Sequence, residues 1–147
     1  MGIKLQSNFK WDKHIDTVAK KATQRLAMLR RILKTADTPT RRIAYFSLVR
    51  SILEYASQIW DPSEKKYAKK LEKIQNQALR FIFRIKGRVS FTELRANIKF
   101  DSLQKRRQTA RFNLFTKCLA SNIEPPFEYN MTKKEDVDKE RGHYAIY

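Results

Sequence analysis

From residue 12 onward the apolar positions recur at helical spacing. Ile15, Val18, Ala19, Ala22, Leu26, Leu29 and Leu33 share one stripe, and Lys13, Lys20, Arg31 and Lys34 lie on the opposite side. This pattern predicts an amphipathic helix capped by Asp12 and ending near residue 34. Residues 35–37 interrupt the period. Thr38 followed by Pro39 then offers an N-cap with proline at the first helical position. The second predicted helix reaches about residue 60. Tyr45, Phe46, Leu48, Val49, Ile52, Leu53, Tyr55, Ala56, Ile59 and Trp60 cover well over half of its circumference, the pattern of a central helix packed on several sides. Its narrow polar face carries Ser47, Arg50, Glu54 and Gln58, with Arg50 and Glu54 at i,i+4 spacing.

After the Asp61-Pro62-Ser63 stop, a third helix is predicted over about 64–86. Tyr67, Leu71, Ile74, Ala78, Ile82 and Ile85 form its inner side, Lys66, Lys69, Lys73, Arg80 and Arg84 its outer side, and Gly87 its C-terminal punctuation. Ser90 and Glu93 fit a capping box for a short helix to about 98. Asp101-Ser102 opens a fifth helix that ends near 121, ahead of Pro125-Pro126. Alternation at Ile3 and Leu5 suggests the stub of a strand. The last twenty residues mix both charges with few apolar groups, as disordered segments do. The expected fold class is therefore all-α, about five helices around a central apolar second helix, with a disordered C-terminal tail.

Charge changes this picture more than composition does. The chain of 147 residues has a net charge of +17, and its three glycines and four prolines argue against a turn-rich β architecture. Residues 1–60 hold 12 Lys/Arg against 4 Asp/Glu, residues 61–127 hold 16 against 6, and residues 128–147 hold 4 against 5. The excess belongs to the helices and not to the tail. A basic folded surface implies an anionic partner, with nucleic acid first among them and an anionic membrane surface or an acidic protein as the alternatives. Lys13, Lys20, Arg31, Lys34, Lys66, Lys69, Lys73, Arg80, Arg84, Lys105, Arg106 and Arg111 are the expected nucleic-acid contacts, to backbone and shape because no base-reading motif is visible.

Other chemistry is sparse. The single Cys118 excludes an internal disulfide, reads as a core thiol, and fits an intracellular, reducing setting such as nucleus or cytoplasm. His14 and His143 are too few and too far apart for a catalytic pair, and no metal, cofactor or small-molecule site is expected. No apolar run approaches the length of about 20 residues that a membrane span needs. Tyr45, Phe46, Tyr55, Trp60, Phe81 and Phe112 have the spacing of core aromatics, whereas Trp11 and Phe83 fall off the main stripes and suit stacking or an interface. Arg107 shares the stripe of Leu103, Ala110 and Leu114, so it is expected to be partly buried. Its expected partner is Glu54; the alternative is that Glu54 pairs with Arg50 and Arg107 reaches outward.

Several stretches, in order, resemble the region just after the palm of non-LTR (LINE-type) retrotransposon reverse transcriptases. The run 48–56, LVRSILEYA, with Ile59-Trp60-Asp61-Pro62 is similar to a stretch of that family, and Gly2-Ile3 is similar to its turn before the first helix. Trp11 with His14-Ile15, the run 71–82 (LEKIQNQALRFI), and Leu103 with Arg106-Arg107 resemble further family signals, so the likeness covers about 2–119. Where the family commonly has proline, this chain has Ser51. The resemblance implies that 1–11 is a remnant of the palm edge, 12–127 a thumb-like nucleic-acid-binding domain, and 128–147 a mixed-charge tail. The palm aspartates of the family have no match here. The chain is thus expected to be a fragment of an RNA-directed DNA polymerase and not an enzyme alone. As the thumb of a transposable element's polymerase it would hold an RNA–DNA or RNA duplex of any sequence. The competing reading is a helical remnant that binds an acidic protein or the missing palm, for which an exposed apolar patch at Ile3, Leu5, Phe9 and Trp11 is the expected sign.

Overall fold

Six apolar positions on one stripe lie within α1, Asp12–Ile32, the first element of the core. Ile15, Val18, Ala19, Ala22, Leu26 and Leu29 are buried and Leu33 is half-buried just past its end. The computed structural model describes residues 2–121 apart from 5, 8, 9 and 63. The expected disordered tail, Leu5 of the strand stub and Phe9 lie outside the described residues. Among those described there is no strand. α1 begins without a side-chain cap: Trp11 holds the cap position and Asp12 is the first helical residue, where its negative charge suits the helix N-terminus.

The second helix starts one residue earlier than its Thr38-Pro39 pattern suggests. Asp37 is the cap of α2, Thr38–Tyr45, and its carboxylate accepts the Thr40 N–H at 3.2 Å. The rod continues through a π-helical turn, Phe46–Arg50, into α3, Ser51–Glu54. The wider turn leaves its carbonyls less regularly paired, and the Ser51 hydroxyl donates to Ser47 O at 2.6 Å. The helix ends at Glu54 and not near 60. Ala56 adopts φ 52, and the Trp60 indole donates back to Tyr55 O at 2.8 Å, which folds the chain over itself. Tyr45, Val49, Ile52, Leu53 and Trp60 are fully covered, but Ile43, Leu48, Tyr55 and Ile59 stay exposed. The apolar surface of this segment is larger than α1 and α4 can cover.

α4, Lys65–Ile82, buries Leu71, Ile74, Ala78, Leu79 and Ile82 against α1 and α2. Buried Gln75 is satisfied on both sides, accepting from the Tyr45 hydroxyl at 3.5 Å and donating to Asp101 O at 3.0 Å. α4 stops four residues before the expected end because Arg84 turns into the left-handed region at φ 50. Ser90 caps α5, Phe91–Asn97, by accepting the Glu93 N–H, as its motif predicts. α6 spans Leu103–Ala120, and the Ser102 hydroxyl accepts the Lys105 N–H at 3.1 Å. Counting α2, the π turn and α3 as one rod, the described residues form five helices. By contact density the chain divides into one unit of residues 1–113, which holds this core, and a second from 114 onward, in which Cys118 is buried.

Candidate nucleic-acid interface

Three contacts fix how α1 and α4 lie together. Lys70 Nζ meets Asp16 at 2.7 Å, Arg30 donates to Gln77 O at 3.0 Å, and Arg84 donates to Lys34 O at 3.2 Å. The partners advance in the same direction along both helices, so α1 and α4 run parallel. At helical spacing the stripe through Asp16 and Arg30 also carries Lys20, and the stripe through Lys70 and Gln77 adjoins Lys66, Lys73 and Arg80, while Lys34 and Arg84 lie just past the ends of α1 and α4. Lys65 and Lys69 extend the outer face of α4 on its other side. The result is a ridge of cations about 25 Å long at the rise of an α-helix.

Acids are few along this ridge. Glu64 pairs with Lys66 at 2.7 Å and Asp16 pairs with Lys70, both in solvent, where such pairs contribute little. Glu72 lines an open hollow beside Lys65, Lys69 and Lys73, but its oxygens are engaged by Arg95 at 2.9 Å and by the Gln104 N–H at 3.1 Å. Lys13, Lys20, Arg31, Lys34, Lys69 and Lys73 are exposed and enter no ion pair among the described residues. Lys34, Arg80 and Arg84 meet at the C-terminal ends of α1 and α4. Arg30, Arg41 and Lys86 join them there, three cations the sequence pattern does not single out. Arg41 was legible in principle, because it shares the buried stripe of Tyr45 and Val49.

The cations of α6 are placed differently. Lys105 pairs with Asp101 at 2.8 Å. Arg106 grips both oxygens of Glu54, with Nη2 at 2.9 Å, and Arg111 meets Asp61 at 2.9 Å. The expected Glu54–Arg107 pair does not form. Arg107 is buried at 1% exposure, as its stripe implies, but its Nε donates to Asp61 at 2.9 Å. Glu54 takes Arg106 and also Arg50, at 3.1 Å. One step along a helix turns a side chain by about 100°, so neighbouring arginines reach different carboxylates. Burial raises the Glu54 carboxyl above its ordinary value and the Arg50 charge opposes that rise.

The aromatic expectations divide. Tyr45 and Trp60 are core, and Phe46 and Phe81 are half-buried against it. Tyr55 and Phe112 are exposed, at 48% and 65%, because the chain turns at Ala56 and because Phe112 lies off the inner stripe of Leu103 and Arg107. Trp11 and Phe83, the expected stacking candidates, instead pack partly against the core. Of the expected N-terminal apolar patch, Ile3 and Trp11 are half-buried and Leu5 and Phe9 lie outside the described residues; exposed large apolar residues among those described include Ile43, Leu48, Tyr55 and Ile59. His14 is buried between Trp11 and Trp60, its Nδ1 accepting the Lys4 N–H at 3.3 Å and its Nε2 without a partner among the described residues. Burial first, and then Lys21 and Lys4, hold its imidazole below the ordinary histidine value. Among the described residues no group of His, Cys, Asp or Glu could hold a metal, and no helix is long and apolar enough to cross a membrane.

The chain is similar to a protein described as a probable RNA-directed DNA polymerase from transposon BS of Drosophila melanogaster. They are 26% identical over 118 residues, which cover 77% of this chain and 13% of that protein. This distant likeness relates the chain to a small portion of a transposon polymerase, in agreement with the coarser part of the family resemblance. No family model matches the chain, and no solved structure matches it.

Proposed function

We propose that this chain is a thumb-like, post-palm portion of a non-LTR retrotransposon's RNA-directed DNA polymerase and that it holds a template–primer duplex by its phosphate backbone. The observation that carries this reading is the ridge along α4 and α1 and their ends, which holds Lys20, Lys34, Lys69, Lys73, Arg80 and Arg84 with no carboxylate paired to them among the described residues. A polymerase must let its duplex slide, which suits point charges on flexible stems and not a base-reading surface. Its length of about 25 Å is shorter than one duplex turn of roughly 34 Å, so it follows one stretch of backbone. Arg106 and Arg111, on carboxylates, serve the fold in this reading. Lys13 and Arg31 lie at its margin.

The test is fluorescence anisotropy of a labelled RNA–DNA primer–template in a salt series. Five phosphate contacts predict a log–log slope of about −4.5, hence a loss of about 500-fold in affinity between 50 and 200 mM salt. Absent or salt-insensitive binding removes the reading. The exposed Ile43, Leu48, Tyr55 and Ile59 favour a second role for the α2–α3 rod, protein docking, either to the palm of the parent polymerase or to another protein.

A further inference from the structure

Where the C-terminal ends of α1 and α4 meet the start of α2, Arg30, Lys34, Arg41, Arg80, Arg84 and Lys86 line an open hollow of about 440 Å³. Leu33, Phe81 and Ile85 give it an apolar floor, and among the described residues no carboxylate lines it. The guanidiniums are held by backbone carbonyls instead. Arg30 donates to Gln77 O at 3.0 Å, Arg80 to Gly87 O at 2.8 Å, and Arg84 to Lys34 O and Ala36 O, both at 3.2 Å. Arg41, buried at 3% exposure, donates to Phe81 O at 2.6 Å and to Asp37 O at 3.2 Å.

A structural role accounts for part of this. Phe81 O is in the last turn of α4, and Lys34, Ala36 and Gly87 lie in the segments just past α1 and α4, so these arginines tie down the helix ends and the turns that follow them. The charges do not balance, however. Two helix ends contribute roughly −0.5 each against six full positive charges. A carbonyl fixes the direction of a guanidinium but carries no net charge, whereas a carboxylate would cancel it. The carboxylate of Asp37 is turned to the Thr40 N–H as the cap of α2 and does not line the hollow. Burial first, and then the Arg84 charge, lower the Arg41 pKa from its ordinary value, as crowding of like charges should.

From this arrangement we infer that the hollow seats a phosphate group of a nucleic-acid strand, with the attached nucleoside against Leu33, Phe81 and Ile85. Each guanidinium has five N–H donors, and the carbonyl bonds leave several of them unused. The ammoniums of Lys34 and Lys86 hold no acceptor among the described residues and are free to close on the phosphate. Lys34, Arg80 and Arg84 belong both to the hollow and to the ridge, so a strand that follows the ridge arrives here. The inference rests on the reading of the ridge as a nucleic-acid surface and adds a pre-oriented seat at its end.

The probe is a thymidine dinucleotide with or without a 5′ phosphate, titrated into the full chain at low salt and followed by the arginine Nε–H resonances. Two nucleotides are too short to span a ridge of about 25 Å, so they report on the hollow. Saturable shifts centred on Arg41, Arg80 and Arg84 are expected. Binding about fivefold or more tighter with the 5′ phosphate identifies a terminal monoester, whose charge is near −2. Equal affinities identify the bridging diester. Lys34→Ala/Lys86→Ala keeps every carbonyl bond of the arginines, and should weaken the dinucleotide by about fivefold or more with the helical circular dichroism unchanged. Shifts spread evenly over all arginines, Arg95 and Arg106 included, overturn the seat, as does unchanged affinity in the double variant. Duplex binding is scored separately. A duplex that fails to bind while the dinucleotide still shifts the hollow removes the ridge reading alone, and the converse removes the seat alone.

Discussion

Arginines at opposite ends of this molecule are held by different chemistry. Around α3 and α6, Arg50, Arg95, Arg106, Arg107 and Arg111 are anchored on Glu54, Glu72 and Asp61. At the ends of α1 and α4, Arg30, Arg41, Arg80 and Arg84 are anchored on backbone carbonyls. Both sets tie helices together. Three carboxylates offset three of the five charges of the first set, whereas among the described residues no carboxylate pairs with the second. A net charge of +17 thus divides into a part that serves the fold and a part left for a partner, and counting cations in the sequence does not separate the two.

Substitutions should break the two sets in different ways. The largest effect on stability is expected for Arg107→Met. It loses a charge-assisted bond to Asp61, which is part-exposed and keeps Arg111, together with the packing of a fully buried side chain, up to about 3 kcal/mol, read as a lower urea midpoint, while duplex affinity of the folded protein stays within about threefold. Arg41→Met loses charge-assisted bonds to carbonyls, worth about 2 kcal/mol, and should also weaken the dinucleotide. A smaller effect is expected from His14. Its folded-state pKa lies below the ordinary value, so the unfolded chain binds its proton first as pH falls. Stability should be level above the ordinary histidine range near 6.5, fall as pH drops through it, and lose this dependence in His14→Phe, as thermal melts at several pH values would show. Lys105→Ala removes an exposed pair with Asp101 and should change stability by less than about 0.5 kcal/mol.

Periodicity located the helices and most of the core, since Ile15, Val18, Leu26, Leu71, Ile74 and Ile82 are buried where their stripes place them. It was weaker wherever the outcome depended on a single turn of backbone. The left-handed Ala56 and Arg84 shorten two helices, and neither residue type announces that conformation. The π turn at 46–50 is equally silent in the sequence. Pairing failed for a related reason. A helical stripe shows that Arg107 faces inward, but Asp61 lies in a loop whose course the sequence does not dictate. The outer cations of α4 were legible because one long helix carries them. The hollow was not, because Arg30, Arg41 and Lys86 come together only when the ends of three helices meet.

The account stands or falls on whether position matters, and not total charge. Two charge reversals of equal size decide it: Lys69→Glu/Lys73→Glu on the ridge, and Lys99→Glu/Lys105→Glu beside α5 and α6. Titrated against the same primer–template at about 100 mM salt, the ridge variant should lose roughly 100-fold in affinity and the other less than about threefold. Equal losses in the two variants would contradict an interface on α4 and reduce the binding to net charge alone.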